Sequence, residues 1–201
     1  MTSRDFGKLD LWMRRFGPRL RDDLNLAPAA SEHLATTVAG DIAALPSAER
    51  EKLRTYSPVS LQERIDELVA FQAWMDLASS LPPHPATVRA QVITQNYISF
   101  VYLSESCFRA LRAIAPSGSV TRKCAQFLTD NPVRAFRNAI SHANWRYNKD
   151  FTCLEYWARK GEGRDEPLVQ FSVNQTDLTF WQALARCVAY AAFLSADPTA
   201  T

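Results

Sequence analysis

The chain has 201 residues, of which 47% are hydrophobic and 22% charged, a composition typical of one compact globular domain. Charges interrupt every apolar stretch before it reaches the roughly 18 residues that a membrane span needs, and the charged N-terminus does not resemble a signal peptide. We therefore predict a cytosolic protein without membrane contact. The formal net charge of +2 does not by itself indicate a nucleic-acid-binding protein, so an anionic partner would need a local basic patch.

The spacing of the cysteines and the absence of common enzyme motifs exclude several classes of functional site. Cys107, Cys124, Cys153 and Cys187 stand 17, 29 and 34 positions apart, without the close pairs of a zinc site, a redox motif or a disulfide framework. We expect reduced and mostly buried thiols. The phosphate-binding loop, the dinucleotide-binding glycines, the nucleophile elbow of hydrolases, and the zinc-protease and EF-hand motifs are missing too. The sequence therefore predicts neither a cofactor nor a metal.

The first part of the chain predicts short helices. Basic residues mixed with apolar ones before Pro28 are compatible with one short helix or with a partly ordered arm. Further short helices are expected over about 31–45 and 47–56, because Ser47 is a suitable N-cap for the second. We interpret residues 1–57 as an N-terminal helical extension packed on the rest of the protein.

The middle of the chain predicts two long helices and one short helix. Ser60 and Glu63 have the spacing of a capping box, and the helix that they open should end near Pro82. After Pro85 there is no proline or glycine up to residue 115, and the apolar residues keep helical spacing, so we expect one long helix over 85–115 at the centre of a bundle. A turn over 116–119 should precede a short helix.

The last third of the chain predicts a helix, a β-hairpin and a final helix. Asn131-Pro132 is a helix start signal. After His142 the apolar period changes from 3.6 to 2, which indicates a β-hairpin at about 151–173. A final helix should run to about residue 195, before a frayed tail. The predicted fold is therefore mainly α: a helical bundle over 58–201 with a β-hairpin inserted before the last helix, in one compact domain with the N-terminal extension.

Histidine is the most informative residue for chemistry, because the chain has only three. His33 and His84 are expected to be surface or capping residues. His142 ends a helix that also carries Arg137 and Asn138. Asn138 and His142 are four positions apart and share a helix face, whereas Arg137 lies about 140° away from His142 on an ideal helix.

This pairing suits metal-independent RNA cleavage if the long arginine reaches toward the histidine. An imidazole can take the proton of a 2′-hydroxyl, and a guanidinium can stabilise the negative charge that develops on the phosphorus. The expected products are a 2′,3′-cyclic phosphate and a 5′-hydroxyl. Because each chain supplies one such histidine while the reaction uses a base and an acid, a two-fold dimer that joins two motif helices would complete the site.

The run from Arg137 to His142 resembles the RX4-6H motif of the HEPN superfamily, which often has a polar residue such as Asn138 directly after the arginine. The resemblance implies a helical bundle, usually a homodimer, that acts as a metal-independent ribonuclease in toxin–antitoxin systems or antiviral defence. It makes Arg137 and His142 the catalytic pair, Asn138 a supporting residue and an antitoxin protein a candidate partner. HEPN toxins that are modified by nucleotidyltransferase antitoxins have tyrosine two positions after the histidine, where this chain has Asn144.

Several residues around the motif are candidates for binding single-stranded or tRNA-like RNA. They are Arg134, Asn144, Trp145, Arg146 and Tyr147, with Lys149, Arg159, Lys160 and Arg164 further along. The two aromatic rings could stack on bases. Acidic residues interleave with the hairpin cations, so a solvated loop is the alternative, and Trp145 is as compatible with the core as with a stacking platform. Trp74, Trp157 and Trp181 are expected in the core.

Two other interpretations of the motif stay open at this point. A catalytically inactive HEPN-like module could bind RNA or a protein through the same groove. In a purely structural protein, the Arg137, Asn138 and His142 side chains would instead form a polar network that joins the helix end to the hairpin.

Overall fold

The protein is described here from a computed structural model, which covers residues 6–82, 84–150, 152–159 and 165–197. Most of these residues lie in helices, and three short strands form an antiparallel sheet, so the mainly α prediction is confirmed. The α-helices are α1 (Phe6–Met13), α2 (Gly17–Leu24), α3 (Pro28–Glu32), α4 (Leu34–Ala43), α5 (Ser47–Arg54), α6 (Leu61–Ser80), α7 (Pro85–Tyr97), α8 (Glu105–Ile114), α9 (Val120–Thr129), α10 (Val133–Ser141) and α11 (Gln175–Ala196). The strands are β1 (Trp145–Tyr147), β2 (Cys153–Ala158) and β3 (Val169–Asn174).

The centre of the protein is α11. Its residues are buried on nearly every side, and it packs against α4, α6 and α9. A helix that is apolar around most of its circumference is stable only when other elements surround it. The core is continuous from Met13 in α1 to Ala196 in α11, so α1 and α4 share one hydrophobic core with the C-terminal elements.

The expectation of one long helix over 85–115 is wrong. The chain forms α7, then a π-helical turn at Ile98–Tyr102, and begins α8 only after Leu103 and Ser104 leave helical geometry. Leu103 is fully buried at this break, and Ser104 is the extended residue directly before α8. After the break, α8 buries Cys107, Phe108, Leu111 and Ile114, whereas Asn96 is the buried residue of α7.

The N-terminal region is helical and is tied to the core by a buried carboxylate. Asp10 of α1 is 2% exposed and accepts the backbone N–H of Ala35 at 2.6 Å and the hydroxyl of Thr36 at 2.5 Å. It thereby caps the first turn of α4 from a distant part of the chain. His33 is exposed at this junction, as expected for a surface histidine.

The predicted hairpin is present but belongs to a larger sheet. Strands β2 and β3 pair antiparallel, and β1 adds a third strand on the other side of β2, with Trp145 opposite Tyr156. The strand β1 was not predicted, since three residues are too short for an alternating pattern to be recognised. On β2, Leu154, Tyr156 and Ala158 face the core.

Local signals in the sequence were confirmed at several helix ends. Ser60 and Glu63 form the expected capping box on α6, and the Nδ1 atom of His84 accepts the N–H of Ala86 at the start of α7. Ser47 does not cap α5, because the residue before the helix is Pro46 and the helix begins at Ser47 itself. Similarly, no side chain caps α10, which begins after the cis Asn131-Pro132 peptide.

The predictions for buried side chains were correct in most cases. All four cysteines are free thiols, three of them buried and Cys153 half-buried. Trp181 is buried and Trp157 is half-buried, whereas Trp74 is 38% exposed and does not belong to the core. No helix in the described ranges is long and apolar enough to cross a membrane. Lys160, Arg164 and the expected frayed tail after residue 197 lie outside the described residues.

Candidate functional site

The helix α10 carries Arg137 and Asn138 and ends at its C-cap residue His142, but the three residues divide between a buried and an exposed side. Val133, Phe136 and Ile140 have helical spacing and are buried. Arg137 lies within this apolar stripe and is itself buried at 3% exposure. Asn138 and His142 lie together on the exposed face, as their spacing of four residues predicts.

The guanidinium of Arg137 is enclosed by the core without a polar partner. Its Cζ atom lies 5.0 Å from the centre of the Phe108 ring on α8. Its Nε, Nη1 and Nη2 atoms are covered, and none has a hydrogen-bond partner in the described part of the chain. A guanidinium has five N–H donors, so this burial leaves an unusual number of them unsatisfied.

Burial also governs the protonation of this group. Desolvation lowers the pKa of Arg137 to about 10, although the charge of Glu105 acts in the opposite direction. Burial raises the pKa of the neighbouring Cys107 thiol to about 12, so this thiol is neutral at pH 7 and provides no counter-charge. Arg137 is therefore a cation at neutral pH, and none of the residues that the structure describes forms an ion pair with it.

The position of His142 is fixed by the way in which α10 ends. The N–H of Asn144 donates to the carbonyl of Ala139 at 2.9 Å, and the N–H of Ala143 donates to that of Ile140 at 3.2 Å. These two bonds form a Schellman motif. Ala143 occupies its left-handed position with φ of 55°, where glycine is usual. His142 is the residue directly before this turn, with its imidazole exposed to solvent.

The Schellman turn leads directly into the sheet, and α10 packs against β2. The carbonyl of Asn144 accepts the N–H of Trp157 at 2.9 Å. Arg146 is exposed on β1, with its Nε atom 2.8 Å from Glu155 and its guanidinium 5.3 Å from the Trp157 ring centre. The charge of Arg146 is therefore already paired with a carboxylate.

Trp145 and Tyr147 face away from Arg146 and line the wall of an apolar groove. Both rings are half-buried and meet edge to face at 6.0 Å. The groove has a volume of about 760 Å³, and its other wall is α7, including Val88 and Ile93. Burial raises the pKa of Tyr147. The two rings therefore pack on the core and are also accessible from the groove.

The structure brings Asn138 and His142 together, with Arg134 one turn earlier on the same side of α10. It places Arg137 beneath that surface and separates it from His142. The spacing of Arg137 from Val133 and Ile140 signals an inward-facing residue, and the 140° angle between Arg137 and His142 is consistent with it. No local signal in the sequence identifies Phe108 and Glu105 on α8 as neighbours of Arg137, because they are distant from it along the chain.

The polar network expected of a purely structural motif is not seen. In the described residues, neither hydrogen bonds nor ion pairs join the side chains of Arg137, Asn138 and His142 to one another or to the sheet. The described residues also contain no group of three or more His, Cys, Asp or Glu side chains that could hold a metal ion.

No protein-family model matches the chain, and no match is found among curated proteins or solved structures. Membership of the HEPN superfamily therefore stays a prediction from the motif residues.

Proposed function

We propose that this protein is a metal-independent endoribonuclease of the HEPN type, acting as a toxin or in antiviral defence. His142 is the acid–base residue, Asn138 orients the bound phosphate group, and Arg137 stabilises the charge of the transition state. The active assembly is a homodimer that joins two α10 helices, and a cognate antitoxin is a candidate partner. The observation that carries the proposal is the buried, unpaired guanidinium of Arg137.

An unpaired buried charge is difficult to explain as a structural feature. Removing a guanidinium from water costs several kcal/mol unless partners replace the lost hydrogen bonds. The ring of Phe108 offsets about 2 kcal/mol of this cost by a cation–π interaction, because the guanidinium is desolvated. Groups that destabilise the fold without an evident compensating contact are typical of functional sites. A phosphate oxygen of bound RNA would supply the missing acceptor, once the Arg137 side chain turns outward.

In the proposed reaction, the imidazole of His142 removes the proton of a ribose 2′-hydroxyl. The 2′-oxygen forms a bond to the adjacent phosphorus while the bond from phosphorus to the 5′-oxygen breaks. A protonated imidazole, that of His142 of the partner subunit, donates a proton to the leaving 5′-oxygen. The guanidinium of Arg137 stabilises the additional negative charge on the phosphoryl oxygens. The products are a 2′,3′-cyclic phosphate and a 5′-hydroxyl.

The proposal is tested by incubating the protein with single-stranded RNA in excess chelator and analysing the ends of the products. We expect 2′,3′-cyclic phosphate and 5′-hydroxyl ends from the unmodified protein and none from His142→Ala. The matched control is His33→Ala, which removes another exposed histidine and should leave cleavage unchanged. Cleavage that survives in His142→Ala would contradict the assigned role.

The burial of Arg137 favours one alternative function, an HEPN-like module that binds RNA without cleaving it. In that case the guanidinium stays enclosed and contributes nothing to chemistry. The module predicts salt-dependent RNA binding with no cleavage products, and binding that Arg137→Met does not change. The nuclease instead predicts that Arg137→Met abolishes cleavage in a folded protein.

A further inference from the structure

A second group of arginines lies at the other end of α10 from His142, in a cleft between α8, α9 and α10. The cleft has a volume of about 270 Å³ and is lined by Arg109, Arg112, Thr129, Asp130 and Arg134. Arg109 and Arg112 project from α8, with Glu105 one turn before Arg109. Spacings of three and four residues bring these side chains to one face of the helix.

Two carboxylates pair with the three arginines of this cleft. The Nη2 atom of Arg109 lies 2.6 Å and the Nε atom of Arg134 lies 3.7 Å from the same Oε1 atom of Glu105. The Nη1 atom of Arg112 lies 2.9 Å from Asp130 and donates to the hydroxyl of Thr129 at 3.1 Å. Each of the three arginines therefore has a carboxylate nearby, and the buried guanidinium of Arg137 adds positive charge close to Glu105.

These ion pairs are suited to exchange. The side chain of Arg109 is 62% exposed and that of Arg112 is 39% exposed, and ion pairs at such exposed positions contribute little to folding stability. An arginine can give up a carboxylate for a phosphate, because its planar fork binds two oxygens of either group. Because Glu105 lies close to both Arg109 and Arg134, a phosphate that displaces this carboxylate would make both guanidinium groups available for binding.

The cleft is in line with the proposed cleavage site. Arg134, Asn138 and His142 follow one another at intervals of four residues along α10. On an α-helix, eight residues correspond to about 12 Å along the axis. A single strand whose reacting phosphate lies at His142 can therefore continue along the exposed face of α10 to the cleft.

We propose that this arginine cleft binds a backbone phosphate of the RNA strand, with Arg109 and Arg112 as ligands, and that Glu105 occupies the cleft when no RNA is bound. The inference rests on the proposed function, since it takes RNA as the substrate. Glu105 acts as a competing anion and so sets the affinity of the protein for RNA.

The test measures binding of a fluorescent single-stranded RNA of about a dozen nucleotides to His142→Ala protein, which cannot cleave it. Arg109→Ala and Arg112→Ala should each weaken binding and reduce the slope of log K against log salt by about 0.7, the value for one phosphate contact on a single strand. Glu105→Gln should strengthen binding, because it removes the competing charge. The control is Arg54→Ala on α5, an exposed arginine paired with Glu51, which should leave affinity and slope unchanged.

A structural group of ion pairs predicts different results. If Glu105→Gln binds RNA no more tightly than the parent protein while circular dichroism shows it folded, or if the two arginine variants behave like Arg54→Ala, the assignment is overturned. A parallel titration with inorganic phosphate identifies the ligand. Arginine-dependent binding of phosphate together with unchanged RNA binding would overturn the assignment to the RNA backbone.

The experiments distinguish the failure of the cleft proposal from the failure of the nuclease proposal. Arginine-dependent RNA binding by a protein that cleaves no RNA would uphold the cleft and refute the nuclease. Cleavage with an unchanged Michaelis constant in Arg109→Ala and Arg112→Ala would uphold the nuclease and refute the cleft.

Discussion

Replacing Arg137 with methionine should make the protein more stable. Burial lowers the pKa of Arg137 to about 10, well below the ordinary value of an arginine, and each pKa unit corresponds to about 1.4 kcal/mol. The charged guanidinium therefore destabilises the folded state by about 3 kcal/mol at neutral pH. Methionine fills a similar space and packs well against the Phe108 ring, but it loses the cation–π interaction, which is worth about 2 kcal/mol at a desolvated site. We expect a net gain of about 1 kcal/mol.

The gain should depend on pH in a way that identifies its cause. The folded-state pKa of Arg137 lies below its unfolded value, so the unfolded chain binds more protons between the two values. The destabilisation is complete below about pH 10 and decreases as the pH rises above it. The stability difference between Arg137→Met and the parent protein should therefore be constant from pH 6 to 9 and become smaller above pH 10.

Urea denaturation followed by circular dichroism measures this difference. The control is Arg54→Met, which replaces an exposed, ion-paired arginine and should change the unfolding free energy by less than about 1 kcal/mol. A loss of stability in Arg137→Met would refute the reasoning, because it would show that the guanidinium makes a contact on which the fold depends.

Two further predictions concern the elements that hold α4 and α10 in place. Asp10→Ala should lower the unfolding free energy by about 2–3 kcal/mol, because the Ala35 N–H and the Thr36 hydroxyl lose their buried acceptor. Urea denaturation measures this loss. A change below about 0.5 kcal/mol would show that water replaces the carboxylate. Ala143→Gly should raise the melting temperature, because Ala143 has a left-handed conformation with φ of 55°. Glycine removes a strain of about 1–2 kcal/mol there, and its larger loss of backbone entropy on folding offsets about half of this gain. A lower melting temperature would contradict this account of the turn.

The features that the sequence predicted well depend on neighbouring residues. The capping box of Ser60 and Glu63, the two strands of the hairpin and the length of α11 all follow from short-range spacing. The features that it missed depend on packing. The break at Leu103 between α7 and α8 contains neither proline nor glycine, and it is stabilised by burial of that leucine in the core.

The same distinction applies to the candidate site. The spacing of Asn138 and His142 was sufficient to place both side chains on one exposed face of α10. Arg137 was expected to reach toward His142, whereas the structure buries it in the apolar stripe of Val133 and Ile140. That the buried guanidinium meets the Phe108 ring and lacks an acidic partner depends on how α8 packs against α10, and no pattern in either segment alone determines this.

The central claim is that Arg137 is kept buried and unpaired for catalysis rather than for folding. It is tested most directly by comparing RNA cleavage by the parent protein and by Arg137→Met, in excess chelator and at equal concentrations of folded protein. We expect the parent to produce 2′,3′-cyclic phosphate ends and the more stable variant to produce none. Equal cleavage by the two proteins would contradict the claim.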